Sequence, residues 1–184
     1  MNNPMPATNP VILQIVGYKN SGKTTLITEL IRHLKQANIT IGTVKHDAHQ
    51  FQMDYPGTDT WKHQEAGADV TAISSSTRSA ILRSSPQPLS ALIEQMKEVT
   101  IVLVEGFKQE PYPKLVLLRT SEDFELLHTV SNPIAAILWP QAIESLPPSE
   151  RMSANIQNND NNQIQLIELS NFDAIFNFVK SFIS

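Results

Sequence analysis

A glycine-bounded loop stands between an apolar run and an amphipathic segment near the start of the chain. The apolar run is Val11–Val16, and residues 24–36 carry apolar side chains at helical spacing. The loop has the pattern Gly-x-x-x-x-Gly-Lys-Thr, formed by Gly17, Gly22, Lys23 and Thr24. This order predicts a strand, a phosphate-binding P-loop and a helix, because the pattern takes its meaning from that context.

Each residue type in the loop has a physical task in binding a nucleoside triphosphate. The glycines let the backbone curve around a phosphate, so that successive N–H groups and the helix N-terminus face the anion. Lys23 is expected to contact the β- and γ-phosphate oxygens, and the Thr24 hydroxyl is expected to ligate Mg²⁺. The predicted nucleotide-binding residues are Gly17, Asn20, Ser21, Gly22, Lys23, Thr24 and Thr25.

The rest of the chain alternates between strand-like and helix-like segments. Residues 40–45 follow the first helix as a second strand, which closes a β-α-β unit and favours a parallel sheet with a right-handed crossover. Further strands are expected at 70–74, 80–82, 100–105, 115–118, 134–138 and 164–169, and further helices at 58–66, 89–97 and 170–183. The predicted fold is α/β, a P-loop NTPase-like three-layer fold with a mostly parallel central sheet, in which the strand at 100–105 lies centrally.

The length of 184 residues suits one domain with its own core. Residues 1–10 are polar and proline-rich and are expected to form a flexible N-terminal tail, so a single P-loop nucleotide-binding domain is predicted for residues 11–184. Within that domain, residues 147–163 pass from proline to asparagine and glutamine without an apolar period. We predict a mobile connector there.

Charge and apolar patterning narrow the classes of partner. Lys and Arg number 14 against 18 Asp and Glu, and the formal net charge of −4 argues against a general nucleic-acid binder. No stretch approaches the roughly 18 consecutive apolar residues of a membrane span. The sequence contains no cysteine, so nothing in it indicates an oxidising compartment. A cytoplasmic protein without nucleic-acid or membrane partners is expected.

Two carboxylates follow predicted strands and are candidates for Mg²⁺ chemistry. Ligands of open α/β sheets gather at the carboxyl ends of parallel strands, which puts Glu105 and Asp47 on the same rim as the P-loop. Glu105 is expected to hold Mg²⁺ unless it is only a solvated strand end, and Asp47 is either a second Mg²⁺-linked or water-orienting carboxylate or a structural residue. The candidate catalytic residues are Asp47 and Glu105, and the candidate metal ligands are Thr24 and Glu105.

Two further polar clusters leave their roles open. The first cluster consists of His46, Asp47 and His49. Three roles are open for it: binding zinc or nickel, contacting phosphate or substrate, or forming a solvated loop. The second is expected to form a turn and cap a helix, and it consists of Asp54, Gly57 and Asp59. No catalytic role is assigned to Arg78, Arg83 or Arg119, because most arginines are solvated.

Several segments besides the P-loop resemble the MobB family, molybdopterin-guanine dinucleotide biosynthesis protein B. They are Thr-Val-Lys-His-Asp-Ala-His at 43–49, Asp54, Pro-Gly-Thr-Asp at 56–59, Ala-Gly-Ala at 66–68 and Val-Leu-Val-Glu-Gly-Phe-Lys at 102–108. The resemblance, which covers residues 11–108, implies a GTP-binding protein that assists attachment of GMP to molybdopterin. It also implies nucleotide contacts from Gly22, Lys23 and Thr24, with Glu105 at the Walker B position.

The resemblance further implies the partners of the chain. They are GTP with Mg²⁺, molybdopterin or its guanine dinucleotide, the molybdenum cofactor guanylyltransferase, and a second copy in a homodimer. Tyr18 stands where deviant P-loop ATPases carry a lysine. A cross-dimer lysine mechanism is therefore not expected.

Three functions are compatible with these features. The favoured one is an accessory GTPase of molybdenum cofactor maturation with slow Mg²⁺-dependent hydrolysis, and the alternatives are a P-loop kinase acting on a small acceptor and an adaptor that does not turn over nucleotide. No Arg-rich lid precedes Glu105, which disfavours the kinase. The Asn-Lys-x-Asp guanine motif is absent. We therefore place base recognition at 139–141, with Gln141 and Glu144 as its polar contacts.

Overall fold

The computed structural model describes residues 9–47, 51–158 and 162–183. The chain divides into two compact units, which are described separately. The first comprises Met1–His46 and Ile93–Ser184, and the second comprises Asp47–Leu92. Residues 1–8 of the predicted tail lie outside the described residues, and the assignment of 11–184 to a single domain stays a prediction.

The secondary structure follows the predicted alternation. The strands are β1 (Val11–Val16), β2 (Ile41–Lys45), β3 (Val70–Ser74), β4 (Ser79–Arg83), β5 (Ile101–Glu105), β6 (Lys114–Leu118), β7 (Pro133–Leu138), β8 (Asn155–Gln157) and β9 (Gln163–Glu168). The helices are α1 (Lys23–Gln36), α2 (Asp59–Glu65), α3 (Leu89–Glu94), α4 (Leu126–Thr129), α5 (Pro140–Ser145), α6 (Pro148–Ser153) and α7 (Phe172–Ser181), with a 3-10 helix at Ser121–Glu125. No helix in these described ranges is long and apolar enough to cross a membrane.

A seven-stranded sheet forms the centre of the first unit. Its strand order is β2-β5-β1-β6-β7-β9-β8, and every neighbouring pair is parallel except β8 with β9. The four apolar residues of β5 are fully buried, as a strand covered on both faces requires. Strand β5 lies between β1 and β2 and is therefore interior. It is one position from the edge of the sheet, and not at the centre as predicted. The predicted α/β fold with a mostly parallel sheet is confirmed.

Apolar side chains on the two faces of this sheet build two separate cores. Leu13 and Ile15 of β1 belong to a buried cluster with the apolar faces of α1 and α7. Val16, the next residue, points to the opposite face because strand side chains alternate, and it belongs to a cluster with residues of α4 and α5. Helices therefore cover both faces of the sheet and form the three predicted layers.

The second unit consists of a turn, α2 and a β3–β4 hairpin. The strand predicted at 70–74 is present, but it pairs with β4 in a separate two-stranded antiparallel sheet. The Thr58 side chain caps α2 by accepting a hydrogen bond from the Trp61 N–H at 3.2 Å. Asp54 Oδ1 accepts hydrogen bonds from the Tyr55 N–H at 2.9 Å and the Thr58 hydroxyl at 2.8 Å. Asp54 therefore has the predicted turn contacts, and Asp59 is the first residue of the helix.

The segment predicted as a connector contains regular structure that the sequence analysis missed. Helix α6 and strand β8 occupy most of residues 148–157, and β8 pairs antiparallel with β9 at the edge of the sheet. Residues 159–161 lie outside the described residues. The expected mobility of residues 147–163 stays a prediction.

A buried lysine begins β6. The Lys114 ammonium donates hydrogen bonds to the carbonyl oxygens of Glu110 and Tyr112 and to the Ser131 hydroxyl oxygen, the latter two at 2.9 and 3.1 Å. Its side chain is fully buried, and burial lowers the pKa of Lys114 to about 8, while the Glu110 carboxylate opposes that shift. Lys114 thus ties the segment that follows β5 to the residues just before β7.

This lysine predicts a pH dependence of stability. Between about pH 8 and its ordinary pKa of 10.5, the unfolded chain holds a proton that the folded chain has released. Raising the pH through that window should therefore increase the free energy of unfolding of the wild type relative to Lys114→Met, which lacks the titrating group. Urea unfolding from about pH 7 to about pH 10 measures this difference. A difference that stays constant with pH would contradict it.

Candidate nucleotide-binding site

The P-loop has the backbone geometry that its glycines allow. Gly22 lies just before α1 in the left-handed region, with φ of 94°, which favours glycine. A Cβ on Gly17 would stand 2.6 Å from Ser21 Oγ and 3.0 Å from the Leu117 carbonyl oxygen. Any larger residue at Gly17 would therefore force the loop away from β6, and both glycines of the motif are required by the fold of the loop.

The P-loop lysine lies back on its own loop. Lys23 Nζ donates hydrogen bonds to the carbonyl oxygens of Gly17 and Tyr18, at 3.2 and 2.7 Å. Burial lowers the pKa of the Lys23 ammonium, the Glu105 carboxylate opposes the shift, and the positive charges of Lys108 and Lys45 add to it. An anion bound beside this ammonium would add to the negative charge of Glu105 and stabilise the protonated form.

The two predicted metal ligands touch each other. The Thr24 hydroxyl donates to both carboxylate oxygens of Glu105, at 3.0 Å to Oε1 and 3.1 Å to Oε2. Thr24 is the second residue of α1 and Glu105 is the last residue of β5, so two neighbouring elements meet at this pair. A hydroxyl and one carboxylate leave most of an octahedral shell to water and phosphate, which is the partly hydrated state that Mg²⁺ prefers. The residues present therefore fit Mg²⁺.

Lysines surround the site on the β2 and β5 side. Lys45 ends β2 opposite Glu105 in the parallel register, and its side chain lines the same cavity. Lys108 follows β5, and its Nζ lies 4.5 Å from the centroid of the Tyr18 ring in a cation–π contact. With Lys23, these residues give the rim a local positive charge in a chain whose net charge is negative. Such a rim favours a multiply charged anion.

An aromatic side chain supports the P-loop from the end of β7. The Trp139 indole N–H donates to the Ser21 carbonyl oxygen at 2.9 Å, and its ring lies 3.3 Å from a Cβ placed on Gly22. The Arg119 guanidinium lies 5.5 Å from the centroid of the same ring and donates to the Asn20 carbonyl oxygen at 3.4 Å. Trp139 and Arg119 thus hold the outer part of the loop.

One cavity of about 1070 Å³ connects these features. Such a volume is just above the usual range of about 300–1,000 Å³ for small-molecule pockets. Its walls come from the P-loop, from α1, and from the carboxyl ends of β2, β5, β7 and β9. The lining residues are Lys19, Asn20, Ser21, Gly22, Lys23, Thr24, Thr25, Leu26, Glu29, His33, Lys45, Glu105, Trp139, Leu169, Phe172 and Asp173.

Comparison with known proteins identifies the family. The sequence model of the MobB family, described as molybdopterin guanine dinucleotide synthesis protein B, matches residues 12–139. The chain belongs to the MobB family. The match includes the P-loop, Glu105 and Trp139, and the family predicted from the sequence is confirmed.

Individual relatives agree with this assignment. A molybdopterin-guanine dinucleotide biosynthesis adapter protein of Haemophilus influenzae is 42% identical over 123 residues, which are 65% of this chain and 66% of that protein, so the match spans just under two thirds of its length. A probable adapter protein of Bacillus subtilis is 39% identical over 132 residues, 70% of this chain and 75% of that protein. The solved structure of Bacillus subtilis MobB superposes with a TM-score of 0.72 at 29% identity, covering 95% of this chain and 98% of that one.

Some of the residues predicted for the nucleotide site line the cavity, and others do not. Six of the seven predicted P-loop and α1 residues, from Asn20 to Thr25, line the cavity together with Glu105, and Gly17 lies beneath Ser21. His46 packs its ring against that of Phe107, with centroids 4.7 Å apart. Asp47 is exposed and belongs to the second unit, so its catalytic role stays a prediction. His49 lies outside the described residues.

Two further predictions concern a zinc or nickel site and the residues that contact the base. Within the described ranges, no group of three or more His, Asp or Glu side chains is placed to hold a metal ion. Of the residues expected to read the base, Trp139 lines the cavity, whereas Gln141 and Glu144 are exposed on α5 and do not. Both follow Trp139 into α5, and their role in base recognition stays a prediction.

The sequence analysis missed several residues at this site. Arg119, to which no role was assigned, touches the P-loop, and Phe172 and Asp173 of α7 line the cavity. Arg119 follows β6, and residues 169–173 follow β9. The rule that ligands gather at the carboxyl ends of parallel strands therefore contained the signal for both.

Proposed function

We propose that this chain binds GTP with Mg²⁺ in the P-loop cavity and acts as an accessory protein in the conversion of molybdopterin to its guanine dinucleotide. The observation that carries the proposal is the Thr24–Glu105 contact beside Lys23, in a cavity of about 1070 Å³. Lys23 would contact the β- and γ-phosphates, and Thr24 and Glu105 would hold Mg²⁺, directly or through water. Bound Mg²⁺ would neutralise phosphate charge.

The names of the relatives support the accessory role. The Haemophilus influenzae and Bacillus subtilis proteins are described as biosynthesis adapter proteins, which indicates a protein that assists a reaction carried out elsewhere. We therefore propose that nucleotide binding controls association with the molybdenum cofactor guanylyltransferase, which binds molybdopterin or its guanine dinucleotide. A cytoplasmic location belongs to the same proposal.

Slow hydrolysis is part of the proposal. Arg119 contacts the Asn20 carbonyl oxygen and the Trp139 ring, so we assign it to support of the loop and not to the transition state. Asp47 is retained as the candidate for orienting the attacking water, on the strength of its place directly after β2. A GTPase that lacks a transition-state arginine turns over slowly.

A homodimer is proposed because the β3–β4 hairpin exposes apolar side chains. Val70 and Ile81, which lie diagonally opposite each other on one face of the hairpin, are 48% and 59% exposed. An exposed apolar patch on a small hairpin is typical of an interface. Ile81→Asp should therefore shift the protein from dimer to monomer in sedimentation velocity, whereas Ser79→Asp, which adds the same charge on the same strand but removes no apolar area, should remain dimeric. A monomeric wild type would contradict this prediction.

A capture experiment tests the accessory function. Immobilised guanylyltransferase should retain the wild-type chain to an extent that changes several-fold between Mg²⁺-GTP and nucleotide-free buffer, and Lys23→Ala should lose that nucleotide effect. Absence of capture in every condition would contradict the proposal. Transfer of the γ-phosphoryl group to a small acceptor, assayed in parallel, would favour the kinase alternative.

A further inference from the structure

The far wall of the P-loop cavity is formed by the chain that follows β9. Leu169, Phe172 and Asp173 line the same cavity as Lys23 and Thr24. In the sheet, β9 is three positions from β1, which precedes the P-loop. At the usual spacing of parallel strands, three positions correspond to about 14 Å. This is close to the distance from the β-phosphate of an extended nucleotide to the far edge of its base.

The carboxyl ends of β7 and β9 lie side by side at this wall. Leu138 is paired with Glu168, and the Leu169 N–H donates to the Leu138 carbonyl oxygen at 2.8 Å. Trp139 and Leu169 therefore leave the sheet together, and both line the cavity. A nucleotide with its phosphates on the P-loop would place its base against the segments that follow β7 and β9.

The three carboxylates that line the cavity differ in their partners. Glu105 accepts the hydrogen bonds of Thr24, and Glu29 is paired with Arg32 one turn further along α1. Asp173 has no hydrogen bond or ion pair with any residue in the ranges that the structure describes. It is exposed to the cavity side, directly after the half-buried Phe172 ring, which packs against His33 at 4.5 Å between centroids.

We propose that Asp173 reads the base of the nucleotide, by accepting hydrogen bonds from the N1–H and 2-amino groups of guanine. This inference rests on the proposed binding of GTP and adds the residue that sets its specificity. A carboxylate offers two acceptors in one plane, which matches the two donors on that edge of guanine. Adenine presents an acceptor at N1 and would leave the carboxylate unpaired, so it is rejected.

The donor and acceptor pattern gives a sharp test with nucleotides of altered bases. Asp173→Asn keeps the size of the side chain but replaces one acceptor with a donor, which fits the 2-oxo group of xanthine. Compared with the wild type, this variant should bind Mg²⁺-GTP about 100-fold more weakly and Mg²⁺-XTP more tightly, because hydrogen bonds to charged groups contribute about 1.5–3 kcal/mol. Binding of inorganic tripolyphosphate should be unchanged, which also shows that the variant is folded.

Glu98→Gln is the matched control, since it makes the same kind of change at an exposed acid outside the cavity. Its GTP affinity should equal that of the wild type. The pterin ring carries the same 2-amino-4-oxo edge as guanine, so neopterin is included as a competitor and should not displace Mg²⁺-GTP from the wild type. Binding of neopterin that depends on Asp173, together with GTP binding that does not, would overturn the guanine assignment.

This experiment distinguishes failure of the inference about Asp173 from failure of the proposed function. If the wild type prefers GTP over ATP and Asp173→Asn retains both the affinity and the preference, the inference about Asp173 is overturned and GTP binding stands. If Asp173→Asn loses tripolyphosphate binding together with GTP binding, Asp173 is a structural residue and the inference is again overturned. If the wild type binds neither GTP nor tripolyphosphate, the proposed function itself fails.

Discussion

Replacing Lys23 with alanine is expected to weaken Mg²⁺-GTP binding by about 100-fold, which corresponds to about 2.7 kcal/mol. The ammonium is the charged donor of the P-loop, and contacts between an ammonium and phosphate are among the stronger hydrogen bonds in proteins. Removing it should cost the fold little, because it ends two hydrogen bonds to loop carbonyl oxygens, of which the one to Tyr18 is exposed. Isothermal titration calorimetry measures the affinity, and urea unfolding measures the stability.

Lys35→Ala is the matched control for this substitution. Lys35 is exposed in the last turn of the same helix and does not line the cavity. Its removal should change GTP affinity by less than about twofold, because exposed charges contribute little. Unchanged GTP affinity in a folded Lys23→Ala protein would refute the assignment of this loop as the phosphate site.

Glu105→Gln should remove most of the Mg²⁺ dependence of nucleotide binding. The amide keeps the shape of the side chain and can still contact Thr24, but it lacks the negative charge that holds a hard cation. We expect GTP affinity in Mg²⁺ to fall by about tenfold, and affinity in EDTA to change much less. Hydrolysis of GTP should fall with it, because Mg²⁺ neutralises the charge that develops on the phosphates.

Glu168→Gln provides the comparison for Glu105→Gln. Glu168 also ends a strand of the central sheet and accepts a hydrogen bond from a hydroxyl, that of Ser170 at 3.2 Å, but it does not line the cavity. The Glu168→Gln variant should bind GTP with the same Mg²⁺ dependence as the wild type. If Glu105→Gln keeps it as well, Glu105 is only the end of a strand.

The part of the fold that was predicted correctly depends on local signals. The run Val11–Val16, the glycines after it and the apolar stripe of α1 each specify their own structure, and their order specifies a β-α-β unit. The four buried residues of β5 likewise predict an interior strand from composition alone.

The missed elements depend on partners that are distant in sequence. Strand β8 is three residues long, is exposed at both ends and exists through its pairing with β9, so no periodicity marks it. The β3 strand was predicted with its correct bounds, yet only its pairing with β4 shows that it lies outside the central sheet. Pairing of this kind is not encoded in the alternation of one strand.

The residues of the site also divide into those marked by a local motif and those brought together by the fold. The P-loop motif and Glu105 were predicted because the chemistry of phosphate and Mg²⁺ binding demands fixed residue types at fixed spacings. Arg119 follows β6 and Asp173 lies in the first turn of α7, and neither belongs to such a motif. Their relevance arises from the sheet order, which brings the ends of β6 and β9 to the rim that holds the P-loop. Trp139 was predicted as an aromatic surface for the base, whereas its indole also donates to the P-loop itself.

A titration of the Trp61→Phe chain with GTP and ATP, each with and without Mg²⁺, decides whether the P-loop cavity is a guanine nucleotide site. Trp139 serves as the optical probe in a Trp61→Phe background, because the chain has two tryptophans and only Trp139 is among the residues that line the cavity. We expect saturable quenching by GTP, with an affinity that is higher in Mg²⁺ than without it and higher than that for ATP. Equal binding of ATP and GTP would contradict the guanine assignment, and absence of saturable binding by either nucleotide would contradict the nucleotide site.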